Sequence, residues 1–168
     1  CNENIKILFD EFVDNDNPEA VIVGDIGKAW NFEILNNIFK KVLSGTDFIA
    51  MHKNKFWSTP EDGLLLDAGS FIKAIEFATG REALLIGKPS PLYFQSALEF
   101  LGLDRSEKFL MLGDDLETDI VGAQKLGSKA ILVYTGKTDK LMAQNSKVKP
   151  DYEAINLFEV IELLEKLN

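Results

Sequence analysis

The chain has 168 residues, 46% hydrophobic and 27% charged, which suits one globular domain or two small ones. Its formal net charge of −9 argues against a nucleic-acid partner and against an anionic membrane surface. The single cysteine, Cys1, excludes an internal disulfide and has no nearby base to activate it, and no apolar run approaches the ~20 residues of a membrane span, so a cytoplasmic setting is the default expectation.

Residues 5–9 can begin a strand or a helix, and residues 13–18 form an Asp- and Asn-rich loop. The β-branched run 20–23 predicts a buried strand, followed by the turn Gly24-Asp25-Ile26-Gly27. Asn31 can cap a helix carrying Phe32, Leu35, Ile38, Phe39 and Val42 at a near-3.6 spacing, and Ser44-Gly45 ends it. A strand over 47–51 precedes a polar loop over 52–62 that contains Phe56 and Trp57. A short strand over 64–66 leads to a helix over 70–79, stopped by Gly80, with Asp67 placed to cap it.

The remaining chain has a plainer rhythm. Apolar 83–86 runs into Gly87-Lys88-Pro89-Ser90-Pro91, and a helix over 92–101 ends at Gly102. A strand over 109–112 gives way to Gly113-Asp114-Asp115 and a helix to about 126. A strand over 130–134 ends in Thr135-Gly136, residues 137–150 read as a polar loop, and a helix spans 157–167. Alternating apolar strands and helices predict an α/β fold with a parallel sheet, whose sites lie at the C-terminal strand ends. The chain divides into parts 1–83 and 84–168.

Two motifs carry chemistry. In Leu110-Met111-Leu112-Gly113-Asp114-Asp115-Leu116-Glu117-Thr118-Asp119 an apolar strand delivers adjacent carboxylates, with a third one helical turn later. Such like charges repel, and a hard divalent cation would reverse the sign; the alternative is that the acids only cap the helix. Lys88 in its Gly-Pro turn can neutralise a phosphate or a carboxylate, or it can be a solvated turn lysine. His52 and Lys53, at a strand end, are candidates for substrate contact, against a surface or packing role.

Gly-Lys-Pro-Ser-Pro, then Met-Leu-Gly-Asp-Asp-x3-Asp-Ile, then Ala-Ile-Leu-Val-x-Thr-Gly-Lys resembles the third and fourth motifs of haloacid-dehalogenase (HAD) phosphatases. Asp62-Gly63-Leu64-Leu65-Leu66-Asp67-Ala68-Gly69 resembles the subfamily (IIA) with a large C2-type α/β cap. The resemblance implies a partial HAD core plus a cap, Mg2+ as cofactor and a small phosphorylated molecule as substrate. It implies that Lys88 steadies the nucleophile and the phosphoryl group, that Asp114 is the direct metal ligand, and that Asp115 and Asp119 hold metal-bound water or Lys88. The catalytic set is then Lys88 and Asp119, the metal set Asp114, Asp115 and Asp119, and the substrate contacts His52, Lys53 and Lys88.

The family's nucleophile comes from an Asp-x-Asp motif that this sequence lacks. Asp10 follows an apolar run, but Phe12 stands where the second acid belongs. The expectation is the C-terminal part of a phosphatase, inactive alone, with an open strand edge at 109–112 that favours a homodimer. The rival expectation is a non-catalytic truncated protein serving as a binding or dimerisation module.

Overall fold

The computed structural model describes residues 5, 7–13 and 17–167; Cys1 and positions 14–16 of the expected loop lie outside them. The chain forms two units, Cys1–Gly87 and Lys88–Asn168.

In the first unit a 3-10 helix spans Ile7–Phe12, so of the strand and helix alternatives the helical one holds, in its tighter form, and Asp10 is exposed. Strands β1 (Ala20–Val23), β2 (Asp47–Ala50) and β5 (Leu84–Leu85) form a parallel sheet in the order β1-β2-β5. Helix α1 (Phe32–Leu43) starts at Asn31, whose side chain accepts the Ile34 N–H at 3.0 Å. Arg81 Nη1 donates to Val42 O in the last turn of α1 at 2.7 Å and to Thr46 O beyond its end at 3.1 Å. Helix α2 (Ala68–Thr79) is capped by Asp67 and ends at Gly80 in the left-handed region, φ 68°. Val23, Val42, Phe48, Ala50, Ile72 and Ile75 pack together between sheet and helices.

One part of the expected loop 52–62 is instead a strand. β3 (Phe56–Thr59) pairs antiparallel with β4 (Gly63–Leu66), Trp57 opposite Leu65. The four residues Phe-Trp-Ser-Thr favour extended backbone, but the lysines before them mask the pattern. Leu84–Leu85, expected in the second part, adds to the first unit's sheet.

In the second unit β6 (Leu110–Gly113), β7 (Lys129–Val133) and β8 (Tyr152–Ala154) form a parallel sheet in that order. Alternate residues of β7 face opposite sides: Ala130 and Leu132 join Leu116, Ile120 and Ala123, while Ile131 and Val133 join Ala154 and Val160. A strand buried on both faces has no polar alternation, which is why it reads as a continuous apolar run. Helix α3 (Pro91–Phe100) begins with Pro at its first position. After β6 the chain makes a π-helical turn over Leu116–Ile120 before helix α4 (Val121–Lys125). Helix α6 (Leu157–Leu167) closes the chain.

The expected loop 137–150 contains helix α5 (Lys140–Asn145), capped by Asp139, which accepts the Met142 N–H at 2.7 Å. Its single buried residue, Ala143, is too little to write a helical period into the sequence.

Candidate active site

Five charged side chains meet at the C-terminal ends of β6 and β7: Lys88, Asp114, Asp115, Asp119 and Lys137. Gly113 ends β6 against the Asp119 side chain, leaving no room for a Cβ. Asp119 is 3% exposed, carried inward by the π turn, in which Ile120 N–H reaches back to Asp115 O. Its Oδ2 accepts the Asp115 N–H at 3.3 Å, and its Oδ1 lies 2.8 Å from Lys88 Nζ. That close ion-pair contact does not meet hydrogen-bond geometry, so Oδ1 stays a buried acceptor without an aligned donor.

Lys88 begins the second unit and also lies over the Tyr93 ring, 5.8 Å from its centroid. Burial alone would lower the pKa of its ammonium, but the Asp119 carboxylate outweighs that and holds the pKa above the usual lysine value. Lys88 is therefore a fixed positive charge at neutral pH.

Asp115 accepts the Glu117 N–H at 2.9 Å and pairs with Lys137 Nζ at 2.5 Å. Burial pushes its carboxyl pKa up, but the Lys137 ammonium and the Glu117 N–H outweigh burial, and the net pKa lies below the usual range. Asp114 is half-buried, and its Oδ2 accepts the Lys137 N–H at 2.6 Å. Sequence reasoning gave Lys137 and Thr138 no role; the Thr-Gly closing an apolar strand was the available signal.

The three acids do not form one ligand cluster. Among the described residues no group of three or more His, Cys, Asp or Glu side chains could hold a metal ion by itself. Asp115 and Asp119 are each paired with a lysine, so Asp114 is the acid of the three whose carboxylate could hold a metal ion. An all-oxygen site with one carboxylate fits Mg2+, which keeps several waters and takes the rest from phosphate. The residues present thus fit the ion in part.

His52 and Lys53 lie in the first unit. Lys53 Nζ donates to Glu76 Oε1 at 2.6 Å and to Ala83 O at 2.9 Å, so its ammonium ties α2 to the start of β5 rather than standing ready for substrate. His52 Nδ1 lies 3.8 Å from Asp67 Oδ1, beyond hydrogen-bond length. Asp25 accepts the Gly27 N–H and the Trp30 indole N–H, so the 24–27 segment is a side-chain-closed turn, as expected.

A family model described as HAD-hydrolase-like matches residues 85–160. The human phospholysine phosphohistidine inorganic pyrophosphate phosphatase is 34% identical over 165 residues, 97% of this chain and 60% of its own length. The human haloacid dehalogenase-like hydrolase domain-containing protein 2 is 38% identical over 125 residues, covering 74% and 48%. A crystal structure of 4-nitrophenylphosphatase from Thermotoga maritima superposes with a TM-score of 0.85 at 33% identity, covering 95% of this chain and 62% of that one. A glycerol phosphate phosphatase from Mycobacterium tuberculosis, solved in complex with magnesium, gives a TM-score of 0.75 at 27% identity, covering 86% and 43%. The chain spans about three fifths of the length of the phosphatase it matches along its whole extent. Fold, motifs and these similarities agree: along nearly its whole length the chain is similar to HAD-like hydrolases.

Proposed function

We propose that this chain is the C-terminal part of a Mg2+-dependent phosphatase acting on a small phosphorylated molecule, a phosphate ester or pyrophosphate. The observation that carries the reading is the fixed Lys88–Asp119 pair beside Asp114 at the rim of one parallel sheet. The named relatives that are phosphatases support it.

Lys88 places a permanent positive charge where phosphoryl oxygens would sit, and preorganised charge of this kind lowers the barrier to phosphoryl transfer. Asp119 holds Lys88 in place and keeps it protonated. Asp114 would hold Mg2+, which when bound neutralises phosphate charge. Asp115, drawn to Lys137, fixes the turn that presents Asp114. The phosphoryl group passes to an aspartate outside these 168 residues as its bond to the ester or bridging oxygen breaks and the alcohol or phosphate leaves with a proton; water then cleaves the phospho-aspartate, restoring the carboxylate and releasing inorganic phosphate. The first unit serves as the cap, which excludes water and selects substrate, and His52 remains its candidate contact. The acidic chain with one cysteine suits the cytoplasm.

The test is hydrolysis of p-nitrophenyl phosphate and pyrophosphate by a chain extended upstream through an Asp-x-Asp segment, with and without Mg2+. Metal-dependent turnover that Lys88→Ala lowers by about 10²–10³-fold supports the reading; turnover indifferent to Lys88 refutes it. Among the described residues β6 is paired on one side only, which favours a second reading, a pairing module without catalysis, which inert extended protein would support.

A further inference from the structure

The segment after β7, Gly136-Lys137-Thr138, closes on the turn after β6 at four points. The Lys137 N–H donates to Asp114 Oδ2 at 2.6 Å, and the Lys137 ammonium meets Asp115 Oδ2 at 2.5 Å. The Thr138 N–H donates to the Asp114 carbonyl at 3.0 Å, and Thr138 Oγ1 accepts the Leu116 N–H at 3.4 Å. Thr138 is 3% exposed, so the segment is anchored rather than loosely draped. These contacts grip Asp114 from its backbone and from one carboxylate oxygen, Oδ2.

Gly136 explains how the segment gets so near. A Cβ there would overlap Asp114 Oδ2 and lie 2.8 Å from Cγ. Its φ is not among the positive values that demand glycine, so the backbone would accept alanine. What forbids a side chain is the space the carboxylate occupies.

We propose that residues 136–138 are a positioning clamp that sets the orientation of the Asp114 carboxylate, and that position 136 is glycine to make room for it. This rests on the reading of Asp114 as the cation ligand. The nearest obstacle to a Cβ is the far end of a short side chain, not backbone. Gly136→Ala should therefore leave the fold intact and turn the carboxylate away, breaking its bond from the Lys137 N–H. Residues that orient a metal ligand typically matter 10–100-fold in metal affinity.

The experiment uses the full 168-residue chain with Mn2+ as probe, reading paramagnetic broadening of backbone amide resonances, the Lys137 amide shift and the melting temperature. In the wild type Mn2+ should broaden amides near 113–115 and 136–138 first. In Gly136→Ala the melting temperature should stay within about 2 °C, the Lys137 amide should move upfield, and the Mn2+ midpoint should rise about tenfold or more. Asp114→Asn separates the two claims. If it binds Mn2+ as the wild type does, the ligand reading falls and the clamp falls with it. If Asp114→Asn weakens binding while the Gly136→Ala titration overlays the wild type, the clamp alone is overturned. A Gly136→Ala chain that fails to fold also overturns it, because the carboxylate then did not yield.

Discussion

Lys88 Nζ and Asp119 Oδ1 stand 2.8 Å apart, one at the start of the second unit and the other buried one turn beyond β6. The pair joins a Gly-Pro turn to a strand-end turn 31 residues later, and it sets both the position and the charge state of the lysine. Asp119→Asn keeps the shape and removes the charge. Because Lys88 is partly solvated, the expected stability loss is about 1–2 kcal/mol, below the ~3–5 kcal/mol of a fully buried broken pair. The folded-state pKa of Lys88 is raised, so the pair's contribution is fully present below the unfolded lysine value of about 10.4 and is lost as pH rises through the higher folded value. Urea titrations should show a constant wild-type advantage from pH 6 to about 9 that closes above roughly pH 10.5. An advantage that vanishes near neutrality would contradict the pairing.

Glu76 is the stability counterpart in the first unit. It is 6% exposed and accepts from Lys53 Nζ, Lys73 Nζ and the Ala83 N–H. Burial pushes its carboxyl pKa up, the three donors outweigh burial, and the net pKa is lowered. A lowered pKa gives stability present above the unfolded value of about 4.3 and lost as pH falls through the folded one. Glu76→Gln should cost about 2 kcal/mol at pH 7 in urea unfolding. It should also flatten the acid limb below about pH 4.5. Equal loss at pH 7 and pH 3 would show the charge to be irrelevant.

Gly122 in α4 has no room for a side chain. A Cβ would overlap the Phe94 ring and come within 3.3 Å of Pro89 Cα. Phe94 cannot swing aside freely, because it stacks on Phe109 with ring centroids 5.5 Å apart. Gly122→Ala is expected to destabilise the second unit by ~1–3 kcal/mol through overpacking, whereas Gly136→Ala should be nearly silent in the same thermal scan. Two neutral outcomes would mean the helix packing is looser than described.

Strand β6 is paired on one side only among the described residues, and Leu112 on it is 38% exposed. Light scattering should find concentration-dependent self-association of the chain, reduced by Leu112→Lys, since a charge blunts an edge strand. A monomer at all concentrations would dispose of this edge as an association surface.

Much of the architecture was legible because its strands are short apolar runs. Residues 20–23, 109–112 and 130–134 read correctly as strands for that reason, although only the last is buried along most of its length and the expected burial of 20–23 holds for Val23 alone, and Asn31, Gly80 and Asp67 marked helix ends by their capping chemistry. The hairpin partner β3, helix α5 and strand β8 were not legible, because each buries one residue or none and has no period to read. At the site, Asp114, Asp115, Asp119 and Lys88 stood out because an apolar strand delivers charge abruptly. Their division of labour did not: Lys137 reaches Asp115 across 22 residues, a contact no local pattern encodes. The pairing of Lys53 with Glu76 was not legible either, because Glu76 lies on a helix face that sequence alone does not align with it.

The most direct test of the whole account is Mg2+-dependent hydrolysis of p-nitrophenyl phosphate by three proteins: the 168-residue chain, the chain extended upstream through an Asp-x-Asp segment, and the extended chain with Asp114→Asn. The account predicts turnover in the extended protein alone, with Asp114→Asn lowering it by at least about 10²-fold. Equal turnover by the 168-residue chain, or an Asp114→Asn protein as active as its parent, would contradict it.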